Sequence, residues 1–403
     1  MRTAYGLALA LSAGFRLATA APSCGRGGST SSNLLWVTTY PSGDAAQGKL
    51  LTLKQNGSKL EVIAESDTCG PFPSWLTQDR DVLYCVDEAW GGESGTLYSL
   101  KINADNTFTK LSEGPTVGGP VSTVIYGKDG NGLAVADYAG GGIDTYNIAN
   151  PAAIQLIQSV KYPPPTDGLP DPQNSARPHE AILDPTGEFL VFPDLGADQI
   201  RVLKVDKETL EYVEKPSYTD FDRGTGPRHG AFFKSGDKTF FYLVGELSNV
   251  LQGFSVTYNA DDSLSFTRIH NSTTHGDHTP VPKGTAAAEL WIAPGSNFLT
   301  LSSRFERALT YTLANGTEVP SDPLITFSID RETGALTHVQ TAPAGGVNPR
   351  HFSFSRDGTR VVSALQSDGR VVVFKRDPLT GKIGKAIAEG DVEGSPNFAT
   401  YKL

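Results

Sequence analysis

The sequence predicts an all-β fold, a seven-bladed β-propeller with four antiparallel strands per blade. Three observations predict it. A strand-forming segment recurs seven times, glycine-bearing turns precede most of the copies, and long amphipathic helices are absent from a chain with 43 glycines and 26 prolines. Short strands repeating with a period of roughly 50 residues are the pattern of propeller blades, each of which needs its neighbours to bury its faces.

The recurring segment is a β-branched or aromatic run ending in a polar or aromatic residue. Its copies are Leu34–Tyr40, Val82–Glu88, Leu133–Tyr138, Leu190–Leu195, Phe241–Glu246, Phe298–Arg304 and Val361–Gln366, with ends spaced by 48, 50, 57, 51, 58 and 62 residues. Turns such as Asp184-Pro185-Thr186-Gly187 and Arg356-Asp357-Gly358 precede them, and a further apolar strand such as His351–Ser355 precedes each turn. Runs such as Gln199–Val205 and Arg370–Lys375 supply the next strand, and Ser263–Ile269 exemplifies the fourth. Several first strands begin at a Pro-x step, and the C-terminal Pro396-Asn397 repeats that step with no hairpin after it. Leu34–Tyr40 lacks an upstream inner strand, so the C-terminal strand is expected to complete the N-terminal blade and close the ring, leaving no open edge there.

Residues 34–403 therefore form the propeller. Residues 1–20 read as a signal peptide, with Arg2, the apolar stretch Tyr5–Phe15 and the small-residue site Ala18-Thr19-Ala20; 21–33 read as a flexible N-terminal segment. The expected location is extracellular, the cell wall included. No later run is apolar enough to span a bilayer. A net charge of −10 argues against nucleic acid or an anionic membrane as partner. In an oxidising compartment Cys69 and Cys85, flanking one strand-turn-strand unit, are the expected disulfide, leaving Cys24 over. Asn56, Asn271 and Asn315 head glycosylation sequons. His270, His275, Asp277 and His278 read as an exposed loop sharing the Asn271 sequon, and no metal or cofactor is expected.

Blade geometry brings the start of each first strand and the end of each second strand to one face. Two rings of residues follow. The first holds Ser74, Val121, His179, Arg228, Arg350 and Asn397; the second holds Tyr40, Glu88, Tyr138, Leu195, Glu246, Arg304 and Gln366. His179, Arg228, Glu246 and Arg304 come from neighbouring blades and have the chemistry for catalysis. Guanidinium groups fork onto carboxylates, and imidazole and carboxylate exchange protons. Arg350, His351, Gln366 and His229 are further substrate-binding candidates. The expected ligand is a small anionic carboxylate.

Three segments resemble the lactonase-type seven-bladed propeller family: Arg177-Pro178-His179 with the Asp184–Gly187 turn, Gly226-Pro227-Arg228-His229, and Asn348-Pro349-Arg350-His351-Phe352. Ala364–Phe374 and Asp377–Gly381 also fit. The family includes 6-phosphogluconolactonases and fungal 3-carboxy-cis,cis-muconate cyclases. The resemblance implies a lactone-forming or lactone-opening enzyme, foremost a cycloisomerase of the carboxy-muconate type, with a 6-phosphogluconolactonase-like hydrolase as an alternative. By the fungal pattern the site is His179, Arg228, Glu246 and Arg304, with either His179 or Glu246 transferring the proton. Ser303-Arg304-Phe305 departs from the family's Asn-Arg-Gly, and Thr285–Ala293 lacks its Pro-Asp-Gly turn. A second alternative is a non-catalytic secreted or cell-wall glycoprotein that binds a matrix or cell-surface partner through loops such as 159–176 and 259–284.

Overall fold

The β-branched and aromatic runs form strands because their side chains fill both faces of a stacked sheet, and the glycine-bearing segments between them form the turns. In the computed structural model the described residues are 32–43, 45–90, 94–166, 169–277 and 279–403. The segment 1–20 expected to be a signal peptide, Cys24 and His278 fall outside them.

Five separate four-stranded antiparallel sheets are present, together with an eight-stranded sheet that divides into two four-stranded blades. Among the described residues their strand pairing is continuous through one parallel pair, Glu389 with Lys59. Numbered from the first complete one, blades 1 to 6 have inner strands Pro73–Asp79, Pro120–Tyr126, Ile182–Leu183, Pro227–Ser235, Ala286–Ile292 and Pro349–Phe354. Blade 7 takes its inner strand, Ser395–Tyr401, from the C-terminus, paired antiparallel with Leu34–Tyr40. Across the same junction Asn397 Nδ2 donates to the Pro73 carbonyl at 2.9 Å.

The apolar clusters lie between blades, not within them. Blades 4 and 5 share Tyr242, Val244 and Leu251 with Leu299, Leu301 and Phe327, and blades 6 and 7 share Val362, Val371 and Val373 with Leu35, Val37 and Leu51. Each sheet is thus stable only against its neighbours. Cys69 and Cys85 form a disulfide with Cα atoms 5.9 Å apart, tying the segment before the inner strand of blade 1 to its second strand.

Two segments differ from the sequence expectation. Blade 5 carries an extra hairpin, Leu309–Thr312 with Glu318–Ser321, between its second strand and the third, Pro323–Ile329. This insertion accounts for the longest repeat spacing, and Asn315 sits exposed at its tip. His270 and Asn271 lie in the long fourth strand of blade 4, Leu264–Thr273, not in a loop. That strand extends because its outer edge alternates exposed and buried residues to its end, so the 259–284 segment offers less loop than expected. His275 turns inward to Glu306, 3.1 Å away.

Candidate functional site

The Pro-x steps of the sequence are β-bulges. Pairing between the inner and second strands slips by one residue after Pro73, Pro120, Pro227 and Pro349. The same slip occurs at Asn397 in blade 7 and between Ala287 and Leu290 in blade 5. A regular strand alternates its side chains, sending one of two successive residues away from the channel. The extra residue of a bulge re-aims the chain there. As a result Arg228 and His229, and likewise Arg350 and His351, all face the channel as consecutive pairs.

The first residue of each pair meets the ends of the second strands at a cavity of about 400 Å³. His179, Arg228, Glu246, Arg304 and Arg350 line it, with Glu88, Tyr138 and Arg177. Glu246 is gripped from two blades: its Oε2 accepts from Arg228 Nε and its Oε1 from Arg304 Nη2, both at 2.7 Å. The two guanidinium groups are fixed in turn by carbonyls of the blade 5 inner strand, Arg228 Nη1 on Ala288 at 2.6 Å and Arg304 Nη2 on Ala287 at 3.0 Å. Burial alone would raise the Glu246 carboxyl, but Arg304 and Arg228 outweigh it and hold it at about 2. Burial lowers Arg228 to about 10, with Glu246 opposing and the like charges of Arg304 and Arg350 adding to the fall.

Arg350 differs from these two. Its guanidinium lies 5.3 Å from the Tyr40 ring centre and has no hydrogen bond or ion pair to a side chain among the described residues. Tyr40 donates a very short hydrogen bond to Glu88 instead. Burial raises the Glu88 carboxyl, against the pull of Arg350. The mouth therefore combines one clamped carboxylate with an arginine that lines the cavity without a side-chain hydrogen bond or ion pair among the described residues.

A second layer lies just inside. His179 Nδ1 is 3.1 Å from His229 Nε2, and His229 Nδ1 is 2.8 Å from Glu289 Oε1. Glu289 is fully buried and also accepts from the Leu290 backbone N–H at 3.0 Å. Glu180 accepts from the Gly230 N–H at 2.7 Å. His351 accepts the Ala399 N–H on Nδ1 and stacks on Phe398. Burial, followed by the charge of Arg228, lowers both His179 and His229 well below the ordinary imidazole value. His179 is thus a neutral imidazole at the cavity wall, its charged form opposed by burial and by Arg228, while the clamped Glu246 stays a carboxylate.

The structure brings His179, Arg228, Glu246, Arg304 and Arg350 to one cavity. It does not bring His229, His351 or Gln366 to it as expected. His229 and His351 line the constriction beneath, because the bulge sets them one layer deeper. Gln366 turns to Asn348, whose Nδ2 donates to its Oε1 at 3.4 Å. The exposed side chains of Asn56, Asn271 and Asn315 leave all three sequons accessible. Sequence reasoning missed Glu289 and Glu180. A lone carboxylate in the apolar run Ala286–Ile292 was the available signal for Glu289.

Comparison with known proteins places this chain in a family. The model of a family described as "Lactonase, 7-bladed beta-propeller" matches residues 34–398. A probable 6-phosphogluconolactonase of Arthroderma benhamiae is 31% identical over 325 residues, covering 80% of this chain and 78% of its own. A 6-phosphogluconolactonase of Formosa agariphila is 25% identical, covering 81% and 87%. Among solved structures, the periplasmic gluconolactonase of Pseudomonas aeruginosa aligns with a TM-score of 0.73 and 25% identity over 92% of this chain and 99% of that one. A putative 6-phosphogluconolactonase of Bacteroides fragilis shares the fold at a TM-score of 0.74 and 20% identity, over 93% and 98%. The family match spans almost all of the propeller, and the fungal relative is alike over most of both chains. The chain belongs to the lactonase family of seven-bladed β-propellers.

Proposed function

We propose that the protein hydrolyses the ring ester of a small sugar-acid lactone bearing a phosphate or carboxylate group. The observation that carries this reading is the Arg350 guanidinium, without a side-chain partner among the described residues, in a cavity already holding Arg228 and Arg304. An anionic substituent would rest on Arg350 through charge-assisted hydrogen bonds. The reacting carbonyl would lie toward Arg228 and Arg304, whose positions are fixed before substrate arrives, so that they offset the negative charge developing on its oxygen. His179 takes a proton from water, the resulting hydroxide adds to the carbonyl carbon, and the ring C–O bond breaks with the proton returned to the leaving oxygen. Water and lactone give the hydroxy acid, and nothing else is consumed. The names of the fungal and Formosa relatives favour hydrolysis of a phosphorylated lactone.

Cyclisation of a carboxy-muconate is the second reading. It is favoured by the match of His179, Arg228, Glu246 and Arg304 to the fungal cyclase pattern and by their meeting in one cavity. A carboxylate would add across the conjugated double bond between the arginines, with His179 supplying the proton to carbon. Secretion belongs to the proposal as well, supported by the N-terminal leader, the Cys69–Cys85 disulfide and the three exposed sequons.

The deciding experiment measures turnover of 6-phosphogluconolactone, gluconolactone and 3-carboxy-cis,cis-muconate by the secreted protein. The proposal expects the phosphorylated lactone to be opened with a kcat/KM at least about tenfold above that of the neutral one, since one charged hydrogen-bonding anchor is worth about 1.5–3 kcal/mol. Faster turnover of the muconate would transfer the assignment to the cyclase. A folded protein turning over none of the three, yet binding a matrix or cell surface saturably, would replace the enzyme with the binding glycoprotein.

A further inference from the structure

Beneath the cavity, the hydrogen-bonded line His179–His229–Glu289 runs into the channel across blades 3, 4 and 5. Its donors and acceptors can be assigned from the partners. Glu289 Oε1 already accepts the Leu290 N–H, so an ionised Glu289 also accepts from His229 Nδ1–H. His229 Nε2 is then left as an acceptor and takes the His179 Nδ1–H. His179 Nε2, on the ring that lines the cavity, is left with a lone pair. Taking up one proton at His179 Nε2 and shifting one along each of the two bonds reverses all three groups: Glu289 becomes a carboxylic acid and His179 Nε2 becomes a donor. Neither state contains an imidazolium.

That last point matters because of what surrounds the line. Arg228, Arg304 and Arg350 face it from the cavity side, with Glu246 clamped among the first two; Glu180 and His351 face it from the channel side. A proton left on His179 would create a fourth positive charge beside three arginines. A proton passed on to Glu289 instead neutralises a buried negative charge.

We propose that Glu289, acting through His229, is the proton store for His179, so that His179 switches between base and acid without becoming charged. This rests on the reading of the site as a lactonase. In that cycle water loses its proton to His179 Nε2, His179 Nδ1–H passes to His229 Nε2, and His229 Nδ1–H passes to Glu289. Breaking the ring C–O bond draws the same proton back along the line to the leaving oxygen. Burial raises the Glu289 carboxyl, which fits a group that receives a proton at neutral pH. His229 and Glu289 touch no substrate in this scheme and are positioning residues.

The test uses the full-length secreted protein. Glu289→Gln keeps an acceptor oxygen for His229 but cannot hold the proton. It is expected to lower kcat by about 10²–10⁴-fold, the range of a lost acid–base group, with KM within about twofold. The wild type is expected to show a curved dependence of kcat on the D2O fraction, which becomes linear in Glu289→Gln. Because the groups act as a unit, His179→Ala with Glu289→Gln should be no slower than His179→Ala alone. Multiplying losses, or a Glu289→Gln variant with wild-type kcat, would overturn the relay. Nitrogen-15 NMR of the histidines in ligand-free protein tests the line independently of any substrate. Both His179 and His229 should be neutral with the proton on Nδ1, and opposed tautomers would overturn the relay whatever the enzyme does. Matched tautomers in a protein that opens no lactone would instead overturn the functional reading. Should Glu289→Gln fail to fold, His229→Gln in the same kinetic and isotope measurements takes its place.

Discussion

The two ends of the channel are similar in size and opposite in chemistry. One holds the cavity of about 400 Å³ with its arginines and clamped carboxylate. The other is a cavity of about 470 Å³ walled by Trp75, Trp291, Ile292, Phe354 and Phe398, near the C-terminal Leu403. His351 and Trp75 stand between them, lining both the constriction and the apolar end. Volume therefore does not distinguish a site here. Buried arginines converging on a clamped carboxylate do: Arg228, Arg304 and Glu246 line the polar end, whereas the one arginine lining the apolar end, Arg356, is exposed.

The largest expected effect tests that assignment directly. His179→Ala should lower kcat on the best lactone by about 10²–10⁴-fold with little change in the unfolding midpoint. A loss below fivefold would take the proton transfer away from this end of the channel. Next, Glu246→Gln leaves Arg228 and Arg304 buried without their counter-charge, and removing one partner of a buried ion pair costs about 3–5 kcal/mol, readable in urea unfolding. The same carboxylate sets a pH signature. Its folded value of about 2 lies below the unfolded value near 4.3, so its contribution is fully present above the unfolded value. That contribution is lost as pH falls from about 4.5 to 2, and the Glu246→Gln variant should lack this part of the acid destabilisation. Arg350→Ala comes third: KM for a phosphorylated lactone should rise about 10–100-fold, with kcat nearly unchanged. Smallest is Trp291→Ala at the apolar end, where kcat/KM should stay within twofold. A larger fall there than for Arg350→Ala would reverse the assignment of the two ends.

What could be read from the sequence depended on whether a residue sat in the repeat. Arg228 and Arg350 were visible because a proline marks the bulge that precedes each of them. Glu246, just past the second strand Lys238–Gly245, and Arg304, the last residue of Phe298–Arg304, were visible because each ends the recurring segment of its blade, and both line the cavity. Gln366 has the same position relative to its strand, and its backbone N–H donates to the Asn348 carbonyl as that of Glu246 donates to Gly226, but Asn348 claims its side chain. That contact depends on the left-handed backbone of Asn348, with φ of 63°, and no spacing argument registers it. Glu289 was hidden for the opposite reason. Blade 5 makes its bulge with Ala287-Ala288-Glu289 and no proline, so the repeat gave no marker. The added hairpin of the same blade further obscured its period.

The bulge recurring near the start of the inner strands separates two demands that usually compete in a protein. Ladder bonds on either side of the extra residue form whatever side chain it carries, as the run of Ser74, Val121, Arg228, Arg350 and Asn397 illustrates. Selection can therefore rewrite the reagent ring one blade at a time while the sheets that hold it keep their pairing. A chain built in this way can exchange one anionic substrate for another, or lose its chemistry altogether, and still fold.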